Sequence, residues 1–408
     1  MTPVVALIGG GVSVAALVEL LPRALTIDAL DIRLAAQDLA TLEVIAGRCR
    51  ALVSDRPGWT VTASSTAVDA ARGADVIVLM IRVGGLAARR ADEDLSRQFG
   101  IPGDEGLGPG GAANALRTLP VLGDLADDLR RVAPGATVLN LVSPLGLTTR
   151  LLLDRGLDTI GVCELPGVTE ASLRAELGVD LAYAGLNHLG WFWPRVDAAA
   201  GPDAVLAAAA DAGLADASVL AAFGAIPLKY YYWLFDPAAA ARLGISRDPD
   251  RTAGLIDLRD QALAEFAAAP GAASPSLDAR PTPWFSEGLV PMLAAILLGH
   301  RWRGFANVRN GDLVPGLERD LVIETRATLD GHELHAEPLA DRMPSAAWAF
   351  VESVARAEDL TYRSWRDVDE LLLVDAFVDG PHHFDRPSAR RLAQTMRFGA
   401  QNPVGAPG

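Results

Sequence analysis

Basic residues, cysteine and long apolar runs are all scarce in this sequence of 408 residues, and each scarcity excludes a class of protein. The 36 lysines and arginines are outnumbered by 51 aspartates and glutamates, which gives a net charge of -15. This acidity argues against binding to nucleic acid or to an anionic membrane surface. It does not exclude a small anionic ligand, because a pocket can be locally basic.

The chain contains only two cysteines, Cys49 and Cys163, so it has no disulfide framework. This favours a reducing, cytoplasmic setting. The first apolar run, "VVALIGGG", has no basic segment before it and breaks at glycines, so no signal peptide is expected. The longest later run, "VPMLAAILLG", is too short to cross a bilayer and predicts a buried helix.

Hydrophobic residues make up 50% of the chain, and their arrangement along it indicates an α/β fold. Short apolar strands alternate with helical segments through the first half of the chain, as in "VVALI", "TIDALDI", "WTVTAS", "ADVIVLMI", "ATVLNLV" and "DTIGVCE". This alternation predicts a Rossmann-like, doubly wound parallel sheet. A chain of this length favours two domains, predicted as residues 1–165 for the sheet and 166–408 for a mixed α+β domain.

Three consecutive glycines follow the first predicted strand, at the place where a dinucleotide-binding fold holds a pyrophosphate. Gly9, Gly10 and Gly11 would let the phosphates approach the backbone in front of a helix that begins at Ser13. Asp31 is predicted to end the second strand, where a carboxylate accepts the ribose hydroxyls and favours NAD over NADP. The alternative is a tight turn beside a solvated aspartate.

Two polar residues stand out in apolar segments, Cys163 in "GVCELPG" and His188 in "LNHLGW". One interpretation is a buried thiol and a hydrogen-bonded core histidine. The other is a metal site with two protein ligands. The two fragments alone leave both open.

A series of short motifs indicates a protein family more specifically than any single segment does. In chain order they are "MIRVGGLAARRADE", "GLGPGGAANALRTLP", "LNLVSPLG", the Cys163 segment, "YAGLNHLGW" and "AIPLKYYY". Together they resemble the NAD-dependent family 4 glycoside hydrolases, which include 6-phospho-glucosidases and α-galacturonidases. The resemblance extends from about Val4 to Leu360.

The resemblance implies a glycosidase mechanism that begins with oxidation. Hydride passes from C3 of the sugar to NAD, a base removes the acidified C2 proton, and the aglycone is eliminated from C1. Water then adds and the hydride returns. A divalent ion, usually manganese, polarises the C2 and C3 oxygens. Cys163 and His188 match the two metal ligands of the family, which favours the metal site.

The resemblance also identifies candidate catalytic residues. Tyr230 matches the base that removes the C2 proton, and Tyr231 and Tyr232 are rival candidates because they adjoin it. Glu164, directly after the metal cysteine, is either the general acid for the leaving group or a solvated side chain.

The remaining site residues also follow from the resemblance. Arg82 is expected to contact the cofactor. The candidates for contact with the substrate are Arg89, Asn114, Ser143, Asn187 and Arg251. The second domain is expected to carry metal and substrate residues and to form the contacts of a homodimer or homotetramer.

Departures from the family pattern concern the sugar. Ser143 precedes Pro144 where asparagine is common, and the residues after the glycines are apolar rather than polar. Fewer donors predict a weaker preference for 6-phospho-glycosides, or a different sugar that is unphosphorylated or carboxylated. The leading hypothesis is a small-molecule glycosidase. The alternatives are a plain NAD-dependent sugar C3 dehydrogenase and a non-catalytic NAD-binding sensor.

Overall fold

The computed structural model of the protein describes residues 2–195, 201–246, 248–331, 333–339 and 342–401. In this part of the chain the strands are β1 (Val4–Gly9), β2 (Leu30–Ala35), β3 (Trp59–Ser64), β4 (Val76–Met80), β5 (Thr137–Asn140), β6 (Thr159–Gly161), β7 (Leu181–Ala184), β8 (Trp191–Pro194), β9 (Ile226–Pro227), β10 (Trp302–Arg309), β11 (Val322–Asp330) and β12 (Glu333–Ala336).

Parallel strands form the centre of the molecule in the order β3-β2-β1-β4-β5-β6. This is the strand order of a dinucleotide-binding fold, and it reverses direction between β1 and β4. Ligands of such sheets bind outside the carboxyl ends of the strands at that point. The predicted Rossmann-like α/β fold is confirmed.

The second half of the chain extends this sheet and also builds a small sheet of its own. Antiparallel strands β10, β11 and β12 continue the large sheet beyond β6, with Asn307 of β10 opposite Gly161. Strands β7, β8 and β9 form a separate antiparallel sheet. The predicted division at residue 165 falls between β6 and β7.

Helices cover both faces of the large sheet and form most of the carboxyl-terminal third. They are α1 (Ser13–Ala24), α2 (Leu39–Leu52), α3 (Ala67–Ala71), α4 (Gly85–Gln98), α5 (Gly108–Val132), α6 (Leu145–Asp154), α7 (Leu165–Leu177), α8 (Pro202–Asp211), α9 (Ala217–Phe223), α10 (Lys229–Phe235), α11 (Pro237–Arg242), α12 (Arg251–Ala268), α13 (Pro275–Asp278), α14 (Val290–Leu298), α15 (Ser345–Arg366), α16 (Glu370–Asp379) and α17 (Arg386–Gln401), with a π-helical turn at Trp284–Leu289 before α14. Among the described residues, no helix combines the length and the apolar composition that crossing a bilayer requires.

The core explains why the strands form continuous apolar runs. In β1, Val5 and Leu7 pack into a cluster on one face, while Ala6 and Ile8 pack into a second cluster on the other face. Strands buried on both faces lose the polar alternation of an exposed sheet. Helix α14 is buried as predicted, and Met292 belongs to the same cluster as β1.

Candidate active site

The glycine turn between β1 and α1 lies at the carboxyl edge of the sheet, beside β4. Gly9 has φ +86°, and a Cβ there would lie 2.7 Å from the carbonyl oxygen of Met80. The backbone N–H of Gly10 donates to that same oxygen at 3.0 Å. No side chain caps the amino terminus of α1, and the N–H groups of Ser13 and Val14 donate to the carbonyl oxygens of Gly10 and Gly11 at 3.2 Å and 3.1 Å.

Asp31 does not lie where the sequence analysis placed it, and that prediction is wrong. It pairs with Val4 at the beginning of β1, and β2 runs on to Ala35. Its carboxylate accepts hydrogen bonds from Arg33 at 2.8 Å and from Thr60 at 3.0 Å. Asp31 is therefore at the amino edge of the sheet, opposite the glycine turn, where it does not favour NAD over NADP.

Four arginines from separate segments converge beside the glycine turn. Partial desolvation and the positive charges of Arg89 and Arg280 lower the pKa of Arg82. Burial and the charges of Arg251 and Arg89 lower the pKa of Arg280 to about 10. Nη1 of Arg280 donates to Oγ of Ser13, in the first turn of α1, at 2.7 Å. Arginines that repel one another are suited to hold an anion, and here Arg89 is buried while Arg82 and Arg251 are exposed.

Sequence analysis did not single out Arg280, because it lies in a loop without a motif. Its guanidinium sits over the ring of Trp284 at 5.5 Å from the centroid, and its Nε is buried with no hydrogen-bond partner. Such an unsatisfied buried donor is uncommon in folded proteins. Only the fold brings this loop to the glycine turn.

Two of the predicted arginines are already paired with carboxylates. Arg82 forms an ion pair with Glu105, and Arg89 contacts Glu105 at 3.0 Å and Glu93 at 2.9 Å. The side chain of Arg89 is only 6% exposed. Arg251, by contrast, is exposed at the start of α12.

Asn114, predicted to contact the substrate, instead holds two loops together. Its amide nitrogen donates to the carbonyl oxygens of Glu105 at 2.9 Å and Ser143 at 3.0 Å. Its side-chain oxygen accepts from Arg117 and Thr118. Both N–H groups and the oxygen are therefore occupied by protein partners, and the predicted contact with the substrate stays a prediction. Ser143 is half-buried at the carboxyl end of β5.

The two predicted metal ligands lie at the carboxyl edge of β6 and in the loop between β7 and β8. Cys163 follows β6, and the side-chain amide of Asn187 is hydrogen-bonded to its thiol. The next residue, His188, has φ +67°, a left-handed backbone conformation that residues other than glycine rarely adopt. The loop therefore places Asn187 at the cysteine thiol, with His188 next to it in the chain.

A buried carboxylate, Glu324 of β11, fixes this loop and was not found by sequence analysis. It is fully buried and accepts from Tyr183 at 2.5 Å, Asn187 at 3.1 Å and Asn307 at 2.9 Å. Its backbone N–H donates to the carbonyl oxygen of Gly185 at 2.9 Å. No motif surrounds Glu324, so the only available signal was one acidic residue within a β-branched strand.

The charges around Cys163 fit a divalent cation. Burial raises the pKa of Cys163 well above its usual value, and the carboxylates of Glu324 and Glu164 raise it further. A Cys163 thiolate and the Glu324 carboxylate together would balance the +2 charge of a divalent cation. A thiolate and an imidazole are ligands suited to a metal ion between hard and soft. Among the described residues no group of three or more His, Cys, Asp and Glu side chains is arranged to hold a metal. The pair Cys163 and His188 therefore stays a predicted two-ligand site.

The structure separates the three adjacent tyrosines. The ring of Tyr230 stacks on His188, with centroids 4.2 Å apart and planes 12° from parallel. Tyr231 packs among aromatic rings, including Trp191 at 5.1 Å, and burial raises its pKa to about 12. The hydroxyl of Tyr232 accepts from the N–H of Asp216 at 3.2 Å, and burial raises its pKa. Tyr230 is the one of the three that lies beside the predicted metal ligand.

Glu164 is partly buried between the metal cysteine and α7. Burial raises the pKa of its carboxyl group, and the nearby Lys229 lowers it. A carboxyl group with a raised pKa holds its proton closer to neutral pH, which a general acid requires.

An apolar cavity adjoins the site on the side of the carboxyl-terminal helices. It is lined by Leu189 and Pro144, which follow His188 and Ser143 in the chain, and by Glu358 of α15 and His382. Burial raises the pKa of Glu358 to about 8, against a weaker effect of Arg150. The cavity thus places one carboxyl group in surroundings that disfavour its charge.

The sequence matches two profiles of one protein family. Residues 4–179 match "Family 4 glycosyl hydrolase", and residues 183–383 match "Family 4 glycosyl hydrolase C-terminal domain".

Curated relatives match over shorter stretches. The chain is 35% identical over 127 residues to the probable 6-phospho-beta-glucosidase of Bacillus subtilis, covering 29% of each chain. It is 32% identical over 169 residues to 6-phospho-alpha-glucosidase 1 of Lacticaseibacillus paracasei, covering 39% of this chain and 38% of the relative. These matches thus span only about a third of the relatives' length.

Solved structures match over nearly the whole fold. The 6-phospho-beta glucosidase from Thermotoga maritima with NAD and glucose-6-phosphate superposes with a TM-score of 0.79 at 22% identity, covering 97% of both chains. A 6-phospho-alpha-glucosidase from gut microorganisms in complex with NAD and Mn²⁺ gives a TM-score of 0.79 at 21% identity, covering 98% of this chain and 99% of the other.

Proposed function

Because the chain belongs to family 4 of the glycosyl hydrolases, we propose that it hydrolyses a small-molecule glycoside by an oxidation at C3, with NAD and Mn²⁺ or another divalent cation as cofactors. Similar structures that contain NAD and Mn²⁺ support the cofactors, and relatives named 6-phospho-glucosidases support a glucoside-like sugar. When bound, NAD would supply a reversible hydride acceptor for C3, and the cation would supply a Lewis acid for the oxidised sugar.

The protein's own residues supply the binding and the proton transfers. Cys163 and His188 hold the cation, braced by Glu324 through Asn187. Tyr230 removes the C2 proton. Glu164 protonates the leaving oxygen at C1, for which its raised pKa is suited.

Cofactor binding is proposed at the glycine turn. The glycine backbone and the pair Ser13 and Arg280 would contact the pyrophosphate, with Arg82 after the end of β4 nearby. Arg280 would thereby gain a partner for its unsatisfied Nε.

One observation carries this proposal above the others: the stacking of Tyr230 on His188 at 4.2 Å. It brings the candidate base to the candidate metal ligand, although the two residues are separated in sequence. A free phenol has a pKa of about 10, so it needs a nearby cation to act as a base near neutral pH. A protein that only bound NAD would have no use for this pairing.

The test is to incubate the protein with NAD, Mn²⁺ and both anomers of 4-nitrophenyl glucoside, with and without a 6-phosphate, in D₂O. We expect release of 4-nitrophenol, deuterium at C2 of the sugar and no net accumulation of NADH. Stoichiometric NADH with an intact glycoside would identify a dehydrogenase instead. Binding of NAD with neither reaction would identify a sensor.

The cellular setting and the assembly are part of the proposal. We propose a cytoplasmic protein, because Cys163 must stay reduced to bind a metal. We also propose a homodimer or homotetramer, which light scattering of the purified protein would measure.

A further inference from the structure

The apolar cavity beside the carboxyl-terminal helices has no part in the chemistry described so far. We propose that it holds the far end of the aglycone, and that Glu358 and His382 recognise a neutral hydroxyl group at that end. This inference rests on the proposed function and names the class of glycoside that it uses. The preferred aglycone has an apolar body and a terminal hydroxyl group, and it is neither a second sugar nor an anion.

The segments that line the cavity also carry predicted residues of the active site. Leu189 directly follows His188, and Pro144 directly follows Ser143. Residues 106–108, at the start of α5, form a further part of the wall. The cavity is therefore next to the place where the sugar is proposed to bind, although it is closed on its other side by α15 and α16.

Helix α10 leads from the predicted catalytic groups to the cavity. Its first residue, Lys229, interacts electrostatically with Glu164, and the ring of Tyr230 stacks on His188. Its last residue, Phe235, lines the cavity. The helix rises about 9 Å between its first and last residues. The cavity therefore receives the far end of an aglycone, and not the glycosidic oxygen that Glu164 is proposed to protonate.

The walls of the cavity favour an apolar group of limited size. Most of the lining is apolar, with large side chains from Leu107, Leu147, Val354 and Phe377. The cavity has a volume of about 70 Å³. A single water needs roughly 10–15 Å³, so there is room for a few atoms and not for a second sugar ring. A sugar would also leave hydroxyl groups without partners against these walls, which is unfavourable.

His382 supplies one of the polar groups in this wall. Its Nε2 is buried, and no hydrogen-bond partner for it lies in the described part of the chain. The ring stacks on Phe235, with centroids 4.6 Å apart, which fixes its orientation. Burial and the neighbouring charge of His383 lower the pKa of His382 to about 4, so the imidazole is neutral at pH 7. A buried nitrogen without a partner is uncommon and suits a ligand that completes its hydrogen bonding.

Glu358 supplies the second polar group. A Cβ at Gly146 would lie only 2.7 Å from its Oε2, so the carboxyl group lies against the first turn of α6. Arg150 forms its ion pair with Asp359, at 2.9 Å, although it also lowers the pKa of Glu358. Burial has the larger effect and raises that pKa to about 8, so Glu358 keeps its proton at pH 7.

Two neutral polar groups in an apolar wall select a neutral polar ligand. A protonated carboxyl group both donates and accepts, and a neutral imidazole offers one donor and one acceptor nitrogen. A hydroxyl group also donates and accepts, so it can pair with Glu358 and His382 at once. A carboxylate would be desolvated here beside an uncharged imidazole, at a cost that no cation offsets.

The direct test compares two glucosides that differ in one group, 4-(hydroxymethyl)phenyl glucoside and 4-ethylphenyl glucoside. The two aglycones have nearly the same shape, and only the first carries a hydroxyl group. The measurement is kcat/KM with NAD and Mn²⁺ saturating. We expect the wild type to prefer the hydroxymethyl compound by about five- to tenfold, the usual contribution of one or two hydrogen bonds. His382→Phe keeps a stacking ring without the nitrogen and should lose this preference.

Variants at Glu358 separate recognition from support of the fold. Glu358→Gln keeps a donor and an acceptor and should keep the preference, whereas Glu358→Leu should lose it. If Glu358 and His382 only supported the fold, Glu358→Leu and His382→Phe would lower both kcat/KM values together and leave their ratio unchanged.

Filling the cavity provides an independent test. Ala357→Leu places a larger side chain in the wall and should raise KM for both substituted glucosides by about tenfold. The unsubstituted phenyl glucoside, which is too short to reach the cavity, should be hydrolysed as by the wild type. The control is Ala349→Leu, at an exposed position of the same helix, which should change none of these values. Equal effects of Ala357→Leu on all three substrates would contradict the proposal.

Binding measurements keep this inference distinct from the proposed function. Nuclear magnetic resonance titrations of the protein loaded with NAD and Mn²⁺ would use the free compounds 4-(hydroxymethyl)phenol, 4-ethylphenol and 4-hydroxybenzoate. The first should bind about five- to tenfold more tightly than the other two, and His382→Phe should remove its advantage over 4-ethylphenol. If no glycoside is hydrolysed, the proposed function fails and these titrations still decide the role of the cavity. Equal affinities in the wild type, as expected of a cavity that holds only water, overturn the inference.

Discussion

At the scale of single residues, the surroundings of a side chain decide its chemistry more than its identity does. Three tyrosines adjoin in the sequence, yet one stacks on a histidine, one packs among aromatic rings and one binds a backbone N–H. The same holds for carboxylates. Glu105 neutralises two arginines, whereas Glu324 is buried among neutral donors beside a thiol.

Replacing Tyr230 by phenylalanine should stop the proton transfer and leave the cofactor in place. We expect Tyr230→Phe to slow exchange of the C2 proton with solvent by a factor of about 10²–10⁴, the usual contribution of a positioned base. The affinity for NAD should not change. Tyr231→Phe, which alters the aromatic cluster, should retain exchange within a few-fold. A dead Tyr231→Phe with an active Tyr230→Phe would contradict the assignment.

Glu324 should support metal binding without touching the metal. Partners behind a metal ligand typically contribute about 10–100-fold in affinity. We expect Glu324→Gln to weaken Mn²⁺ binding by about that factor, measured by calorimetry or electron paramagnetic resonance, with NAD affinity unchanged. The exposed residue Glu318 provides the control, Glu318→Gln. Unaltered Mn²⁺ affinity in Glu324→Gln would show that the loop holds its shape without this charge.

Glu358 should make stability depend on pH. Its pKa is raised from 4.5 to about 8 by burial, with Arg150 opposing and His382 lining the same cavity. The folded protein therefore retains a proton that the unfolded chain releases, and the free energy of unfolding falls as the pH rises from about 4.5 to 8.

The variant Glu358→Gln removes this dependence. We expect it to unfold with a free energy about 1–3 kcal/mol higher than the wild type at pH 8, and with little difference at pH 5. Urea titrations at the two pH values measure this. Glu352→Gln, at an exposed position of the same helix, should change neither value. An equal effect of Glu358→Gln at both pH values would exclude a titration as the cause.

At the scale of elements, the turn between β1 and α1 depends on one glycine more than on its neighbours. A Cβ at Gly9 would lie 2.7 Å from Met80 O and 2.8 Å from Ile81 N, backbone atoms of the adjoining strand end. A Cβ at Gly11 would meet nothing within 4 Å. The turn must therefore stay close to β4 at Gly9, which is also where the sheet reverses its strand order.

We expect Gly9→Ala to lower the free energy of unfolding by more than about 2 kcal/mol and to weaken NAD binding. Gly11→Ala should cost only the strain of a positive φ, about 1 kcal/mol. Chemical denaturation and a fluorescence titration with NAD would measure the two effects. Equal losses in the two variants would show that positive φ, and not the approach to β4, is the constraint.

At the scale of the whole molecule, the two halves share one sheet and one core. Strands β10 to β12 continue the parallel sheet, and Leu17 of α1 belongs to the same buried cluster as Met292 of α14 and Ile323 of β11. Neither half can bury its apolar surface alone, because each supplies part of the other's contacts.

The chain should therefore unfold in one cooperative transition. Far-ultraviolet circular dichroism, which follows both halves, and tryptophan fluorescence, which includes Trp191 and Trp193 of the small sheet, should give coincident curves. A fragment that ends at residue 179 should not fold. Two separate transitions would indicate that the predicted division near residue 165 is also a division of stability.

The sequence by itself was sufficient for the doubly wound parallel sheet at the centre of the fold and for the family. Parallel strands that are buried on both faces appear in the sequence as apolar runs, which predict the sheet. The glycines and short motifs lie at strand ends, and they predict the family. The pair Cys163 and His188 was predicted from motifs, and Asn187, the neighbour of His188, is hydrogen-bonded to the thiol of Cys163.

Only the tertiary structure decided where Asp31 lies, which tyrosine faces His188, and which carboxylates and arginines meet. Strand β2 begins at Leu30, so Asp31 lies near its start. The prediction from the sequence had placed Asp31 at the end of this strand. Arg280, Glu105 and Glu324 come from loops and strands without a motif, and they gain their roles from neighbours far away in sequence. Charge and hydrogen bonding act through space, so a pattern along the chain cannot contain them.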